Sequence, residues 1–401
     1  MSYDISRRGF IKLGGASALG LGSMALLTAC GGSGSDSASA VGTAGAGSIK
    51  VGLLGPYTGD MAPYGLAVRN GVELYAKQIN ARGGINGRQV ELDSMDERGN
   101  SIEAVNAYGK MVKDGAVAVL GDVTSAPSIA VAQASAADNM PLVSASTTVA
   151  AFVSYGSNAF RVCATDTFQG RLLADLAADE GYQTVAVIYN AISDYEAGIA
   201  SVFIGEAKAR GLALCSEQGY TVGDVDFAAL LTDVLDTDPD AILVPSYCQV
   251  DAKIVTQARQ LGYKGVFLGA DGWAGITDYA SAQDLEGCFY DCSFVPSDDE
   301  KVQQFISDYR AEYGKDPGNF DALGYDASMV VFGAIQSVEK GGTAEYGTAD
   351  YKQAIIEALA SSTTEGVTGA IKYTGTGDPV RPTTVFKFEG GEQKVHKTVE
   401  A

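Results

Sequence analysis

The sequence predicts an α/β fold of two similar domains, each a mostly parallel β-sheet flanked by helices. The body of the chain is too long for one compact core, since about 370 of the 401 residues follow an N-terminal segment of different composition. Short apolar runs alternate with segments of helical periodicity, at about 25–35 residues for each pair, which is typical of βαβ units. The alternation starts a second time near residue 184.

The first series begins with the apolar run 49–54, which Gly55 and Pro56 end. A helix follows, because Val68, Val72 and Ile79 recur at the spacing of one helical face. The series continues with a strand at 90–92, a helix over 102–112, a strand over 116–120, a helix over 128–137 and a strand over 141–143. Short continuous apolar runs of this kind favour parallel strands that are buried on both faces.

The second series repeats this order of elements. It comprises strands over 184–189, 213–220, 241–244 and 265–269, and helices over 198–210, 227–235 and 253–261. Later helices are predicted over 301–313 and 327–340, and the tail carries two edge strands or a hairpin at 371–373 and 384–388. Because the two series are of similar size, we expect two similar domains.

Composition argues against several classes of function. The formal net charge is −21, and so acidic a surface repels phosphate backbones, so no nucleic-acid partner is expected. His396 is the only histidine, which argues against an HExxH zinc site and a Ser-His-Asp triad. We therefore expect no metal and no other cofactor. The body also lacks an apolar run of roughly 18 residues that would suggest a membrane helix.

The N-terminal segment predicts export. Arg7 and Arg8 precede a weakly apolar stretch over 13–29, which ends just before Cys30. This order resembles a twin-arginine signal joined to a lipoprotein cleavage box, and the resemblance implies a signal over 1–29 and lipidation of Cys30. An ordinary signal helix with a chance arginine pair stays open as an alternative. A membrane span is disfavoured because the stretch is short and rich in glycine.

The segment after Cys30 predicts a flexible tether. Residues 31–48 contain only Gly, Ser, Ala, Thr, Val and one Asp. We expect residues 30–48 to hold the body on the outer face of the cytoplasmic membrane, at the cell surface or in the periplasm. The other cysteines, which allow at most two disulfides of open pairing, are Cys163, Cys215, Cys248, Cys288 and Cys292.

Polar and aromatic side chains follow the predicted strands, where open α/β sheets bind ligands. In the first series they carry hydroxyls, and Ser125 stands near a helix N-terminus, which favours a carboxylate. In the second series tyrosines and an aspartate suit an ammonium group. The candidate ligand-binding residues are Tyr64, Ser125, Ser146, Thr147, Thr148, Tyr195, Tyr247 and Asp271. A ligand with both charges, such as an α-amino acid, would bridge the two domains.

Each candidate also has an ordinary structural interpretation. Ser125 alone is better explained as a helix cap. The hydroxyl residues over 146–148 fit a loop, Tyr195 and Tyr247 fit half-buried surface aromatics, and Asp271 before a glycine fits a turn. Their joint placement at strand ends is what favours a binding site.

Several sequence blocks resemble the branched-chain amino-acid-binding proteins, which are substrate-binding components of ABC importers. The most specific blocks are Gly-Pro-Tyr-Thr-Gly over 55–59 and Gly-Ala-Asp-Gly-Trp over 269–273, and Gly-Gly-Ile-Asn-Gly over 83–87 supports them. The resemblance covers nearly the whole chain from Ile49. It implies the two-lobed type I periplasmic-binding-protein fold, with a three-crossover hinge and closure on the ligand. It further implies one lobe of 49–163 plus 294–362 and a second of 164–293 plus 363–401.

The resemblance also implies roles for the candidate residues. Ser125 and Thr148 would bind the ligand carboxylate, together with the backbone of Ser146 or Thr147. From the second lobe, Tyr195, Tyr247 and Asp271 would meet the amino group, and Tyr64 would line the side-chain pocket. Many members carry Glu where this sequence has Asp271, so the identity of the ligand side chain stays open. The implied ligand is an amino acid with a branched-chain or other apolar side chain. The implied partners are the membrane subunits of the permease and, through the lipid, the membrane, and the protein is expected to be a monomer.

Two other functions are weighed against this one. The same fold could bind a carboxylate without an ammonium group, such as an aromatic acid, or an amide, but Asp271 argues against this because an unpaired buried carboxylate is costly. An exported enzyme is disfavoured, because the chain has no G-x-x-x-x-G-K loop, no C-x-x-C cluster and no histidine outside the tail.

Overall fold

The computed structural model describes residues 47–342 and 344–400. The predicted signal, Cys30 and most of the predicted tether lie outside the described residues, so these expectations stay predictions. The described strands form two large sheets and one small sheet.

The first large sheet is built from the first series of elements. These are β1 (Ile49–Gly55), α1 (Ala62–Ala81), β2 (Val90–Asp96), α2 (Ser101–Lys113), β3 (Ala118–Leu120), α3 (Ser125–Ala137), β4 (Leu142–Ser144) and β5 (Ala159–Arg161). The strand order is β2-β1-β3-β4-β5 and every pair is parallel. The carboxyl ends of all five strands therefore lie at one edge of the sheet.

The second series provides most of the other large sheet. Its elements are α4 (Asp166–Asp179), β6 (Thr184–Tyr189), α5 (Asp194–Ala209), β7 (Ala213–Gly219), α6 (Ala228–Leu235), β8 (Ala241–Leu243), α7 (Cys248–Gln260), β9 (Val266–Gly269), α8 (Ala282–Leu285) and β10 (Phe289–Cys292). The β6, β7, β8, β9 and β10 strands pair in parallel, so their carboxyl ends also share one edge.

The C-terminal part of the chain contributes to both sides of the molecule. Its elements are α9 (Glu300–Tyr313), α10 (Asn319–Gly341), α11 (Ala349–Ala360), β11 (Thr363–Gly366), β12 (Gly369–Tyr373), β13 (Pro379–Val380), β14 (Pro382–Glu389) and β15 (Glu392–Glu400). The α10 helix packs on α1 and reaches β3 and β4. The β14–β15 hairpin completes the second sheet, in the order β15-β14-β10-β9-β8-β6-β7. We refer to the first sheet with its helices as lobe 1 and to the second sheet with its helices as lobe 2.

The chain crosses between the two sheets three times, after β5, after β10 and before β14. Arg381, at the third crossing, is buried and donates hydrogen bonds to the carbonyl of Val162 at the first crossing and to Thr368. The small antiparallel sheet of β11, β12 and β13 lies close by, and its Gly377 carbonyl accepts from the N–H of Arg161 at 3.0 Å. These contacts tie the crossings into one hinge.

Most predicted elements are confirmed, with boundaries shifted by a few residues. The elements not predicted from the sequence are β5, α4, α8, β10, α11, β11, β13 and β15. The strands predicted at 371–373 and 384–388 exist as β12 and β14, but each lies inside its sheet and they do not pair with each other, so the prediction of edge strands or a hairpin was wrong. The small sheet, which the sequence assigned to the second lobe, contacts β5 through Gly377 and α10 through Asp326, which accepts from the N–H groups of Val367 and Thr368. The lobe boundaries stay predictions. The five cysteines from Cys163 onward are free thiols.

None of the helices in the described residues is long and apolar enough to cross a bilayer. The two large sheets instead enclose apolar cores, and the largest fully buried side chains include Trp273, Phe203 and Phe267.

Glycines set the close packing of α1 on α10. A Cβ on Gly71 would lie 2.0 Å from the carbonyl oxygen of Asp321, and a Cβ on Gly324 would lie 2.2 Å from that of Val68. These contacts are with backbone atoms, so a side chain cannot be accommodated without separating the helices. The α1 helix also carries Tyr64 and α10 carries Phe320, so this packing positions two aromatic side chains.

We expect Gly71→Ala to lower the free energy of unfolding by about 1–3 kcal/mol, as overpacking typically does. Urea denaturation of the purified protein would measure this. Gly109→Ala, on the exposed face of α2 with no atom within 4 Å of the added Cβ, is the matched control and should raise stability by about 0.5–1 kcal/mol. Equal effects at the two glycines would contradict the close-packing interpretation.

Candidate ligand-binding site

A small cavity lies between the facing strand edges of the two lobes. Residues from both lobes enclose it, as the three-crossover arrangement requires. The lining residues are Tyr64, Val123, Thr124, Ser125, Ser146, Thr148, Tyr195, Tyr247, Asp271, Gly272 and Phe320. The cavity therefore brings together seven of the eight predicted ligand-binding residues.

The lobe 1 end of the cavity is the N-terminus of α3. Thr124 is the N-cap residue, but its side chain makes no capping hydrogen bond. The N–H groups of Ser125 and Ala126 in the first turn have no backbone acceptor among the described residues. Free N–H groups and the helix dipole make this end suited to an anion.

Hydroxyl groups hold the two loops at this end together. The Ser144 hydroxyl donates to the Asp122 carbonyl at 2.6 Å, and the Ser146 hydroxyl donates to the Val123 carbonyl at 2.8 Å. Thr147 points away from the cavity, because its hydroxyl lies 2.5 Å from that of Ser128 and donates to the Asp122 carbonyl. Its side chain thus fixes the loop rather than lining the cavity.

Thr148 differs from its neighbours. Its side chain is 1 % exposed, lines the cavity, and its hydroxyl has no hydrogen-bond partner among the described residues. This hydroxyl is therefore available for a polar group inside the cavity.

The lobe 2 end of the cavity is built around Asp271, which follows β9 and is 6 % exposed. The Tyr195 hydroxyl donates to Asp271 Oδ1 at 2.8 Å and accepts from the N–H of Gly272 at 3.0 Å. The N–H of Asp271 donates to Gln169 Oε1 at 3.0 Å. Burial raises the pKa of Asp271 to about 6 despite these hydrogen bonds.

Packing explains why the Gly-Ala-Asp-Gly-Trp block has two glycines and a tryptophan. A Cβ on Gly272 would lie 2.2 Å from the Ser246 carbonyl oxygen, and one on Gly269 would lie 2.1 Å from the Trp273 ring. Trp273 is fully buried and donates from Nε1 to the Val244 carbonyl at 2.8 Å. The buried tryptophan therefore fixes the turn to the core of lobe 2. The two glycines leave room for its ring and for the neighbouring backbone, and Asp271 faces the cavity.

Aromatic rings form the walls between the two polar ends. The Tyr64 ring lies edge-on to those of Tyr247 and Phe320, at centroid distances of 5.2 and 4.9 Å. The Tyr195 and Tyr247 rings are also 5.2 Å apart. Rings from both lobes thus surround an apolar space.

Tyr64 also joins the lobes by hydrogen bonds. Its hydroxyl donates to the Gly272 carbonyl at 2.8 Å and accepts from the N–H of Cys248 at 2.8 Å. Both partners belong to lobe 2, whereas Tyr64 belongs to α1 of lobe 1. These two hydrogen bonds require the cleft to be closed.

A second carboxylate, Asp166, lies close to Asp271. It begins α4, is 3 % exposed, and neither of its oxygens has a hydrogen-bond partner among the described residues. Its N–H donates to the Thr148 carbonyl at 3.0 Å. Burial raises the pKa of Asp166 to about 7; the nearby Thr148 hydroxyl and the positive charge of Arg161 oppose this shift, and the negative charge of Asp271 adds to it.

Sequence reasoning missed some residues of this region. Phe320 comes from a helix far along the chain, and no local pattern marks it. Asp166 and Gln169 lie in the first turn of α4, a helix that was not predicted from the sequence. A carboxylate beside a helix start was the one available signal.

We expect Asp166→Asn to raise the stability of the ligand-free protein at pH 8 and to change it little at pH 4. The pKa of Asp166 is about 7 in the folded protein and near 3.9 in an unfolded chain. Between these values the folded state retains a proton that the unfolded state releases, so this group's contribution to stability is lost as pH rises. The gain from Asn at pH 8 should be on the order of 2–4 kcal/mol.

Urea denaturation at several pH values would measure the effect of this substitution. Asp233→Asn, at an exposed position of α6 with no ion pair or side-chain hydrogen bond among the described residues, is the control and should leave the pH profile unchanged. Parallel profiles for wild type and Asp166→Asn would show that Asp166 is not buried unpaired in the folded protein.

Comparisons with known proteins agree with this architecture. The family model described as "Periplasmic binding protein" matches residues 48–393. A Leu/Ile/Val-binding protein of Rhizobium johnstonii is 28% identical over 354 residues, which cover 86% of this chain and 92% of that relative. A leucine-, isoleucine-, valine-, threonine- and alanine-binding protein of Pseudomonas aeruginosa is 28% identical over 334 residues, which cover 82% and 87%.

A solved structure agrees as well. The branched-chain amino acid transporter substrate binding protein of Streptococcus pneumoniae, in complex with isoleucine, has a TM-score of 0.80 to this chain and 28% identity, over 88% of this chain and 99% of that one. The predicted two-lobed type I fold and the resemblance to branched-chain amino-acid-binding proteins are confirmed. The chain therefore belongs to the periplasmic binding protein family.

Proposed function

We propose that this protein is the extracytoplasmic substrate-binding component of an ABC importer, and that it captures an α-amino acid with an apolar side chain between its lobes. The observation that carries the proposal is the chemical polarity of one enclosed cavity. Its lobe 1 end offers a helix N-terminus and hydroxyls, and its lobe 2 end offers a carboxylate. The relatives named for binding leucine, isoleucine and valine support the same class of ligand.

The α3 N-terminus receives the ligand carboxylate. The N–H groups of Ser125 and Ala126 and the Ser125 hydroxyl provide donors, and the helix dipole adds a favourable field. The unpartnered Thr148 hydroxyl lies between this end and the carboxylates of lobe 2. The Thr148 hydroxyl provides a further hydrogen-bonding group for the carboxylate and ammonium groups at the ligand's Cα.

Asp271 receives the ligand ammonium group. One of its oxygens is engaged by Tyr195, so the other serves the ligand. A carboxylate at 6 % exposure is costly without a cation. An ammonium group supplies both the opposite charge and hydrogen-bond donors, which makes this interaction stronger than one between neutral groups.

The aromatic walls select the ligand side chain. Tyr64, Tyr247, Phe320 and Val123 surround the space between the charged ends. An aliphatic side chain buries its surface against these rings, and each methylene group contributes about 0.8 kcal/mol. A charged side chain finds no opposite charge on this wall.

Ligand contacts from both lobes favour the closed form, because only the closed form makes all of them at once. The cross-cleft hydrogen bonds of Tyr64 add to this preference. A membrane permease that binds the closed form would then receive only the loaded protein. Export by a twin-arginine signal, anchoring through Cys30 and a monomeric state belong to the same proposal, and mass spectrometry of the membrane-extracted protein would test the lipid.

A carboxylate ligand without an ammonium group is the second candidate, and Asp271 disfavours it. Such a ligand would leave Asp271 buried beside Asp166 with no cation in the cavity. Native mass spectrometry of gently purified protein would identify a retained ligand, since its mass separates an amino acid from the corresponding desamino acid.

We expect Asp271→Asn to weaken leucine binding by about 2–5 kcal/mol, because the variant keeps the shape of the site but removes the charge that faces the ammonium group. Isothermal titration calorimetry with leucine and with 4-methylpentanoate, its desamino analogue, would measure this. The analogue should bind the variant at least as well as it binds wild type. Asp278→Asn, on an exposed turn nearby, is the control. Unchanged leucine affinity in Asp271→Asn would remove Asp271 from the site.

We expect Tyr64→Phe to weaken leucine binding about tenfold, because it removes two hydrogen bonds that form only in the closed cleft. The ring contacts to Tyr247 and Phe320 stay. Calorimetry would give the affinity, and small-angle X-ray scattering at saturating leucine would report closure. Tyr75→Phe, on the same helix, is the matched control, and an effect as large there would argue against a cross-cleft role.

A further inference from the structure

Two acidic side chains lie behind the anion-binding end of the cavity, at the carboxyl edge of the lobe 1 sheet. Glu97 directly follows β2, and Asp122 follows β3 by two residues. The β1 strand runs between them in the sheet order and ends at Gly55, whose carbonyl accepts from the N–H of Glu97 at 3.1 Å. Glu97 and Asp122 therefore flank the end of β1 from its two neighbouring strands.

Each carboxylate has one engaged oxygen and one without a partner. Glu97 Oε2 accepts from the N–H of Asn100 at 2.7 Å, and Asp122 Oδ1 accepts from the N–H of Val123. Glu97 Oε1 and Asp122 Oδ2 have no hydrogen-bond partner among the described residues. Both side chains are fully buried, so water does not provide bulk solvation for either oxygen.

The charges around the pair do not neutralise it. Among the described residues, neither carboxylate takes part in an ion pair. Asp96 adjoins Glu97 in the chain, and its carboxylate accepts from Tyr57 and Thr58. Arg69 lies over the outer side of the Tyr57 ring, 4.9 Å from its centroid, and forms an ion pair with Glu73 at 3.5 Å.

Burial raises the pKa of Glu97 to about 7 and that of Asp122 well above its usual range, and the negative charge of Glu97 adds to the shift at Asp122. Two carboxylates in such surroundings cannot both ionise at neutral pH, as in other buried acid pairs. A proton on either acid removes one of the two buried negative charges and turns one carboxylate oxygen into an O–H donor.

The pair is joined directly to the proposed ligand site. The Asp122 carbonyl accepts from the hydroxyls of Ser144 and Thr147, the contacts that hold the two loops of the anion-binding end together. The next three residues, 123–125, line the cavity. A ligand carboxylate at the α3 N-terminus therefore lies near the negative charge of the pair.

We propose that Glu97 and Asp122 form a proton-binding site coupled to the anion-binding end of the cavity, so that binding of an amino acid draws a proton onto the pair. This inference rests on the proposed function, because it takes the ligand carboxylate to bind at α3. The sign follows from Coulomb repulsion: the ligand's negative charge favours the protonated form of the pair. The contribution of the lobe 1 end to the affinity for the amino acid therefore falls as pH rises.

The lobe 2 end has the opposite linkage. An ammonium group favours the ionised forms of Asp271 and Asp166, so it releases protons there. The net number of protons exchanged by the wild-type protein therefore contains both contributions. A variant without the lobe 1 pair isolates one of them.

The test uses the double variant Glu97→Gln/Asp122→Asn, which keeps the side-chain shapes, with Glu91→Gln on the exposed side of β2 as the control. Infrared difference spectroscopy of the ligand-free proteins at pH 6 comes first and does not depend on any ligand. The band of protonated carboxylic acid should be weaker in the double variant than in the control. Bands of equal strength would contradict the presence of a proton on Glu97 or Asp122.

Calorimetry with leucine in buffers of different ionisation enthalpy then gives the protons exchanged on binding. Wild type should take up more protons than the double variant, by up to one per leucine, and the ratio of their dissociation constants should change between pH 5.5 and 8.5 by at most about tenfold per pH unit. Equal proton numbers and parallel pH profiles would overturn the coupling. Failure of every protein to bind leucine would reject the proposed function and the coupling, while the infrared result would still decide whether the pair holds a proton.

Discussion

The structure depends on the burial of carboxylates at the facing edges of two parallel sheets. Parallel strands bring all of their carboxyl ends to one edge, so the loops that follow them converge, and closing two such edges on each other removes those loops from water. In lobe 2 this places Asp271 and Asp166 side by side with almost no exposure. The free energy of the closed form is then raised until a cation enters.

This electrostatic cost explains why closure and binding are linked. A closed cleft that contained only neutral groups would close with or without a ligand. In the proposed function, the ammonium group of an amino acid offsets the cost at Asp271, and the α3 N-terminus stabilises the carboxylate at the other end. The ligand's ammonium group would thus interact with lobe 2 and its carboxylate with lobe 1, and neither lobe alone provides both contacts.

The sequence was sufficient for the parts of the site that follow the strand-end rule. Ser125, Thr148 and Asp271 each stand just after a predicted strand, and the parallel topology brings them to the same cavity. The sequence did not show that the Thr147 side chain, unlike those of Ser146 and Thr148, points away from the cavity. Its direction depends on hydrogen bonds to Ser128 and Asp122, which are distant in the sequence. Phe320 was not predictable, since it reaches the cavity only through the packing of α10 on α1.

Buried acids in this protein are of two kinds, which differ in whether the protein supplies hydrogen bonds to their oxygens. Asp321 and Asp326 are buried, but hydrogen bonds from Gly318, Val367 and Thr368 serve their oxygens, so they fix backbone. Glu97, Asp122 and Asp166 each keep at least one oxygen without a partner among the described residues. Asp122 directly precedes the cavity-lining segment 123–125, and the charge of Asp271 acts on Asp166. Sequence alone does not distinguish these classes, because both appear as an acid near the end of an element.

A structural role predicts that every oxygen of a buried carboxylate is satisfied by the protein, since an unsatisfied one costs stability and contributes nothing to the fold. Asp251 and Asp291 also keep one unpartnered oxygen each, but those of Asp122 and Asp166 belong to residues next to the cavity-lining segment and to Thr148. In the proposed coupling, ligand binding changes protonation with opposite sign at the two ends, so proton uptake at lobe 1 offsets proton release at lobe 2. A protein built in this way binds an amino acid with a weaker dependence on external pH than either end would show by itself.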